Sequence, residues 1–493
     1  MLDLRPIGYV IGLLAAFLGA TMLIPLAVDL YHGNGHWRSF GTSALIAWGT
    51  GVLLALSCAN GVRARLTVQQ TFLLATAVWV ALPLFGAVPF IIGATEARVV
   101  DAVFEAMSGM TTTGATVFAR LEDLPEGLLL WRSMLQWFGG VGIIVVAMVF
   151  LPELRVGGMQ IFRSEAFDTG GKVLPRAAEI AARISAIYVG LTIACHVAYV
   201  MVGMDNFEAA NHALTTLSTG GFSTSDASFG AFQGVPEYVA SIFMVLASLP
   251  FVRYVQVASG SAKPLFRDTQ VRAFLWIIAV LVAVITAYRI IANDDHAEHA
   301  FREAVFNVTS IITGTGYASV DYQLWGAFPV VLFFFIGLIG GCAGSTACSV
   351  KIFRYQILIS SIRSQLRRTA YPHGVFQPKF DGRPIPDDVL NSVMAFFVFF
   401  TVTLGLLAVA LSLTGLDFVT ALSGAATAVA NIGPGLGDII GPSGNFSSLN
   451  DTAKWILSFG RNATALEPQP LVDLITEELQ QMAAMYERTP ERP

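Results

Sequence analysis

Apolar stretches of bilayer-spanning length recur along almost the whole of this 493-residue chain. They occupy residues 7–30, 40–58, 71–93, 134–151, 184–204, 236–251, 271–292, 326–343 and 391–413. Each approaches the roughly 20 residues that an α-helix needs to cross hydrocarbon. The composition agrees, with 55% hydrophobic and 13% charged residues, where a soluble domain carries about 25% charged. The chain is expected to fold as an all-α polytopic membrane protein, and soluble enzyme classes fall away. The first run follows a single Arg5 and exceeds the roughly 7–15 residues of a signal-peptide core, so it reads as a retained helix. Cys58, Cys195, Cys342 and Cys348 sit mostly within apolar stretches, with neither metal-ligand spacing nor a disulfide framework.

The basic residues are unevenly distributed. Arg155, Arg163, Lys172, Arg176 and Arg183 share one loop, and Arg253, Lys263, Arg267 and Arg272 a second. Lys351, Arg354, Arg363, Arg367, Arg368, Lys379 and Arg383 share a third. Residues 205–235 and 413–450 contain no Lys or Arg. The positive-inside rule assigns the basic loops to the cytoplasm. Two spans separate Arg5 from Arg63, so the N-terminus is expected on the same side.

Four glycine-rich stretches fall on the opposite side: TTTGATVF at 111–118, STGGFSTSD at 218–226, ITGTGYAS at 312–319 and NIGPGLGD at 431–438. Aligning Gly114, Gly221, Gly316 and Gly433 brings their flanks into register. Asp101, Glu208 and Glu303 stand thirteen residues before the glycine, and Asp417 lies three residues ahead of that position. Asp226, Asp321 and Asp438 stand five residues after it, where the first unit has Ala119. Each unit reads as a long apolar helix, a short segment of about ten residues that is too short to span, the glycine-hydroxyl stretch and a second apolar helix. The short segment is expected to be re-entrant, with an acid favouring its N-terminus. This divides the chain into an N-terminal helical pair (1–66), pore repeats at 67–152, 153–260, 261–368 and 369–460, and a polar tail (461–493).

Irregular backbone at membrane depth is tolerated only where it meets protein or water. Four re-entrant helices converging on one axis would aim partly negative C-terminal ends at a cation. The glycines would let main-chain carbonyls replace an ion's hydration shell. Thr112, Thr113, Thr219, Thr313 and Thr315 add hydroxyl oxygens. Hard oxygen ligands without a carboxylate cage suit an alkali cation better than Mg²⁺ or a transition metal. Asp226, Asp321 and Asp438 are expected at the outer mouth, raising local cation concentration. A single Gly-Thr stretch is more often a packing or turn device; the shared register of four is what favours function. GLIGGCAGSTACS at 337–349 interrupts the second helix of the third unit. It reads either as a mid-membrane break able to act as a gate or as a small-residue packing face at Gly337, Gly341 and Ser345.

In TTTGAT, STGGFST, TGTGYAS, NIGPGLG, WFGGVGIIV (137–145) and GGCAGST (340–346), the chain resembles the Trk/Ktr/HKT superfamily. The resemblance, over about residues 1–460, is strongest to the membrane subunit of bacterial Trk potassium uptake systems. It implies four pseudo-symmetric helix–pore helix–helix repeats around one pore, with K⁺ as permeant ion, in the bacterial inner membrane. By residue, the filter it implies is Thr112, Thr113, Gly114, Thr219, Gly220, Gly221, Thr315, Gly316, Asn431, Ile432 and Gly433. It also implies a gating loop near Gly340–Ser345, a homodimer, and a separate cytosolic nucleotide-binding regulatory subunit of the TrkA type. The chain itself carries no dinucleotide fingerprint. The pattern departs at its end. The superfamily's fourth unit closes with a full helix bearing a pore-facing arginine, whereas AKWILSFG (453–460) is followed by a polar tail containing Pro468 and Pro470. Arg461 is the nearest stand-in for that arginine. The competing readings are a transporter coupled to H⁺ or Na⁺, which normally needs intramembrane ionisable groups, and a non-transporting membrane protein.

Overall fold

A computed structural model describes residues 3–61, 66–145 and 173–463. The basic residues of the 155–172 loop and the tail beyond Ala463 lie outside the described residues. Among the described residues the fold is built of helices and connecting chain, with one small hairpin. Its N-terminal third comprises α1 (Arg5–Thr21), α2 (Leu23–Tyr31), α3 (Trp37–Cys58), α4 (Val68–Gly86), α5 (Val88–Ile92), α6 (Val99–Met110) and α7 (Glu126–Val145). The middle comprises α8 (Val173–Met201), α9 (Asn206–Leu217), α10 (Val235–Ala247), α11 (Phe251–Ala258), α12 (Lys263–Arg267), α13 (Thr269–Ala292), α14 (Ala297–Thr313) and α15 (Ala327–Gly337). There follow α16 (Ile352–Ala370), strands β1 (Lys379–Phe380) and β2 (Arg383–Pro384), α17 (Asp387–Leu413), α18 (Phe418–Ala430), α19 (Gly437–Ile440) and α20 (Asp451–Ala463).

Six helical segments among the described residues are long and apolar enough to cross a bilayer: Arg5–Tyr31, Trp37–Gly61, Gln69–Ile92, Ala181–Met201, Thr269–Ala292 and Asp387–Leu413. Their large apolar residues remain exposed, as Leu53, Trp276 and Val409 do, which suits a surface facing lipid. Local chemistry sets their ends. Thr67 and Gln70 form a reciprocal capping box at α4, and Asp268 caps α13 by accepting from the Gln270 amide at 2.9 Å. Each device satisfies amides that the first helical turn leaves unpaired.

Of the run at 134–151, residues 134–145 lie in α7, which starts earlier, at Glu126, and carries the buried Arg132 and Gln136; the rest of that run lies outside the described residues. Two of the expected spans are not continuous apolar helices. The run at 236–251 turns through 90° between α10 and α11. Pro250 lies in that corner and lacks the amide a continuing helix would use. The run at 326–343 stops as a helix at Gly337, and chain without helix follows until Ile352.

Four short helices, α6, α9, α14 and α18, are enclosed by the rest. Residues 300, 303–304 and 306–313 of α14 are buried, as are 420–421 and 423–430 of α18. Asp205 caps α9 and Asp417 caps α18, the latter accepting from the Val419 and Thr420 amides at 3.1 and 3.2 Å. Asp101 and Glu208 lie in first turns, as expected of N-terminal acids. Helix α14 differs: it begins at Ala297, so Glu303 lies well inside it. The expectation that the acid opens a segment of about ten residues fails there, because the sequence ahead of Glu303 continues as helix.

Candidate functional site

The enclosed helices α6, α9 and α18 end alike. In each, an amide just past the end reaches back to a carbonyl five residues earlier: Thr113 to Ser108 at 2.8 Å, Gly220 to Thr215 at 2.9 Å, and Ile432 to Thr427 at 3.0 Å. The residue before each of these amides is left-handed: Thr112 (φ 60°), Thr219 (φ 49°) and Asn431 (φ 60°). This is the Schellman arrangement that ends many helices, normally with glycine at the left-handed position. Helix α14 keeps glycine there, at Gly314 (φ 76°). For β-branched Thr112 and Thr219 the conformation is strained, and strain of this kind clusters at functional sites.

Two residues further on, Gly114 (φ 87°), Gly221 (φ 80°) and Gly316 (φ 82°) are left-handed again. Since Thr113, Gly220 and Thr315 have ordinary negative φ, the sign alternates along each stretch. Gly433 alone of the aligned glycines keeps φ out of the left-handed region.

The four stretches meet edge to edge. A methyl group at Gly114 would come 2.2 Å from Gly220 O, and one at Gly221 would come 1.9 Å from Thr315 O. One at Gly316 would approach Gly433 N at 2.9 Å, and one at Gly433 would approach Gly114 O at 3.1 Å. The contacts run from the first stretch to the second, third and fourth and return to the first. In three of these four contacts the atom approached is a main-chain oxygen. Thr112, Thr219 and Thr315 are fully buried; Thr219 Oγ1 donates to Ser218 O at 2.7 Å, and Thr315 Oγ1 pairs with Thr313 Oγ1 at 2.7 Å. Thr113 Oγ1 donates to Asn431 Oδ1 at 2.6 Å, while Asn431 Nδ2 donates to Thr111 O at 3.0 Å. Buried Ile432 packs its side chain toward Gly337. Of the eleven candidate residues, Thr113, Gly114, Gly220, Gly221, Thr315, Gly316, Asn431 and Gly433 meet a neighbouring stretch in these contacts, whereas Thr112 reaches Cys348, Thr219 bonds its own Ser218 and Ile432 turns toward Gly337.

Residues outside the candidate set hold the stretches from behind. Gln136 of α7 donates to Gly220 O at 2.6 Å and accepts from Phe222 N at 3.0 Å. Buried Arg132 donates to Glu105 at 2.8 Å, to Ser223 O at 2.8 Å and to Thr116 Oγ1 at 3.2 Å. Its guanidinium also lies 4.3 Å from the Phe222 ring centre. Buried or partly buried pairs Arg289–Glu303, Arg302–Glu237 and Lys454–Asp101 join other elements. Asp101, Glu105 and Glu303 sit on the enclosed helices, and Glu237 lies at the start of α10, within the expected 236–251 run. Gly314 was legible from its register, two residues before an aligned glycine.

On one side of the meeting place lies the chain between α15 and α16. Cys342 N donates to Ser248 O at 3.1 Å, Thr346 N to Ala247 O at 3.2 Å, Cys348 N to Thr313 O at 3.1 Å and Ser349 N to Ala430 O at 2.8 Å. Gly344 O in turn accepts from Phe251 N at 2.9 Å. Cys348 Sγ lies 2.9 Å from Asn431 Nδ2 and 3.9 Å from Thr112 Oγ1. The stretch is thus a non-helical break, tied by main-chain bonds to the corner after α10 and to the ends of α14 and α18.

On the other side, two of the three expected mouth aspartates accept main-chain hydrogen bonds. Asp226 accepts from the Arg120 and Leu121 amides at 2.6 and 3.2 Å, and Asp321 accepts from Gln323 N at 3.0 Å. Asp438 is exposed in the first turn of α19. Glu122, in the same connecting region, accepts from Ser225 Oγ at 2.6 Å, and this bond holds its carboxyl below the usual range.

The family model for TrkH, described as a cation transport protein, matches residues 43–462. A shorter model, the WCX domain, matches residues 444–483. The Trk system potassium uptake protein TrkI of Halomonas elongata is 43% identical over 477 residues, covering 96% of each chain. The corresponding TrkH of Escherichia coli is 35% identical, covering 96% of this chain and 98% of its own. The crystal structure of the potassium transporter TrkH from Vibrio parahaemolyticus superposes with a TM-score of 0.86 at 33% identity, over 96% of this chain and 98% of that one. With alignment along nearly its whole length in both sequence and structure, this chain belongs to the TrkH family of cation transport proteins.

Proposed function

We propose that the chain is the membrane subunit of a bacterial potassium uptake system and that K⁺ passes through the meeting place of the four glycine stretches. The observation that carries this reading is the closed circuit Gly114–Gly220, Gly221–Thr315, Gly316–Gly433, Gly433–Gly114. Main-chain oxygens and hydroxyls without a carboxylate cage are ligands suited to a dehydrated alkali cation. The family comprises transport proteins rather than enzymes, and relatives named as potassium uptake proteins support the choice of ion.

In this reading α6, α9, α14 and α18 are the pore helices of four repeats (67–152, 153–260, 261–368 and 369–460). Their repeated C-terminal geometry is the support. The break between α15 and α16 is the gate, closing the passage from the side of the basic loops. The N-terminus is cytoplasmic. Two chains pair as a homodimer, and a cytosolic TrkA-type nucleotide-binding subunit sets the gate. Gly316→Ser is expected to weaken discrimination against Na⁺ in proteoliposome flux assays. Unchanged Na⁺/K⁺ ratios would overturn the assignment.

The alternative is uptake coupled to H⁺ or Na⁺. The buried acids nearest the passage, Glu105 and Glu303, are each held by an arginine, an arrangement better suited to structure than to proton exchange. K⁺ flux that vanished whenever the proton gradient was collapsed would favour coupling.

A further inference from the structure

A cleft of about 650 Å³ lies away from the passage, between α16, the first residue of α13 and the segment leading into the β1–β2 hairpin. Arg363, Arg367 and Lys379 line it together with one acid, Asp381. Arg363 and Arg367 stand four residues apart on α16 and so share a face. Lys379 is held opposite them by its own backbone: its amide donates to Ser360 Oγ at 2.9 Å, and Ser360 Oγ donates to its carbonyl at 2.9 Å. Ser364 Oγ fixes the same segment through Phe376 O at 2.8 Å. Neighbouring Arg368 is engaged with Phe376 O. Among the described residues, the Arg363, Arg367 and Lys379 side chains have no hydrogen-bond or carboxylate partner.

Two further features narrow the ligand. Gln356 also lines the cleft; its Nε2 donates to Thr269 O at 3.0 Å, while its Oε1 is buried without a donor. Exposed Ile359 and Val375 add an apolar wall. Thr269 opens the span α13, and α17, which opens at Asp387, follows directly after the hairpin. The cleft therefore lies at the depth where spans enter the bilayer, which is the depth of lipid phosphates.

We propose that this cleft binds the headgroup of an anionic phospholipid bearing a free hydroxyl, of the phosphatidylglycerol type. The phosphate sits among Arg363, Arg367 and Lys379, where guanidinium and ammonium donors give charge-assisted bonds. The headgroup hydroxyl donates to Gln356 Oε1, and an acyl chain runs along Ile359 and Val375. The assignment does not depend on the filter reading; it needs only α13 and α17 to span.

The test uses the full chain, delipidated in detergent and titrated with phosphatidylglycerol, phosphatidylcholine, phosphatidylmethanol, glycerol phosphate and inorganic phosphate under native mass spectrometry. Phosphatidylglycerol is expected to bind about tenfold more tightly than phosphatidylcholine, a difference of about 1.4 kcal/mol. R363Q/R367Q/K379Q is expected to abolish that preference with an unchanged gel-filtration profile, and K379Q alone to weaken it in part. Gln356→Met is expected to weaken phosphatidylglycerol but not phosphatidylmethanol, which lacks the hydroxyl. Equal phosphatidylglycerol binding by wild type and both charge variants overturns the proposal. Glycerol phosphate or inorganic phosphate binding as tightly as the lipid overturns the lipid source and assigns the cleft to a soluble phosphate.

Discussion

Lys454 Nζ lies 2.7 Å from Asp101, joining α20 to α6 across 353 positions of sequence. Lys454 is almost fully buried, and its ammonium also donates to Ser447 O at 2.9 Å. A few residues away Arg98 reaches Asp451 at 2.9 Å. The last described helix is thereby fastened to the first enclosed helix. Burying such a cation costs desolvation that only its partners offset. Lys454→Met and Asp101→Asn are each expected to destabilise the chain by about 1–3 kcal/mol. The double variant should lose less than the sum, which a thermal-unfolding double-mutant cycle in detergent will measure.

Arg132 has a heavier role because its partner Glu105 is fully buried. Arg132→Met leaves that carboxylate unpaired, at an expected cost of about 3–5 kcal/mol. Arg132→Lys should rescue poorly, since an ammonium cannot reproduce a planar fork reaching Glu105, Ser223 O and Thr116 together. Unfolding midpoints of the two variants check this, and equal stability of the lysine variant and wild type would contradict it.

Gly221 and Gly405 make opposite predictions from the same substitution. Alanine at 221 meets Thr315 O at 1.9 Å at a positive φ, whereas alanine at 405 meets nothing within 4 Å. Gly221→Ala is expected to lower K⁺-selective flux steeply. Gly405→Ala, inside α17, should leave flux intact and add up to about 1 kcal/mol of stability from helix propensity. Matched liposome flux and unfolding measurements distinguish them.

The Glu122–Ser225 bond predicts a weak pH dependence in the loops beside the meeting place. The bond lowers the carboxyl's folded-state value. Its stabilisation is therefore present above the ordinary carboxylate value and is lost as pH falls through the lowered one. Protection of the Asp226 amide, whose N–H also donates to Glu122 at 3.0 Å, should fall on acidification in wild type once exchange is corrected for its intrinsic pH dependence. Ser225→Ala should shift that loss of protection to higher pH.

The helical class and the positive φ shared by Gly114, Gly221 and Gly316 were legible because they depend on local pattern: apolar length for spans, and register for the glycines. What was not legible depends on partners distant in sequence. Nothing near Lys454 announces Asp101, and nothing near Gln136 announces Gly220. The corner after α10 left a trace in Pro250, but an unbroken run of apolar residues carries no other sign of a right-angle turn. Glu303 shows the opposite failure: it keeps the register of Asp101, yet α14 begins six residues before it. Register fixed where the helix ends, and the start was free to differ.

The chain between α15 and α16 is held to its surroundings by main-chain bonds from Cys342, Thr346, Cys348 and Ser349 and by the bond Gly344 accepts. These catches fasten it to three different parts of the molecule, so it has no edge from which to peel. Releasing five such bonds, at about 1 kcal/mol each, costs about 5 kcal/mol. Turning a two-state element from mostly shut to mostly open takes about 5.5 kcal/mol of differential binding. On the proposed reading, the door is therefore balanced near the strength of one good protein–protein contact. It opens as a single bolt, and a partner that grips only the open position carries enough energy to draw it.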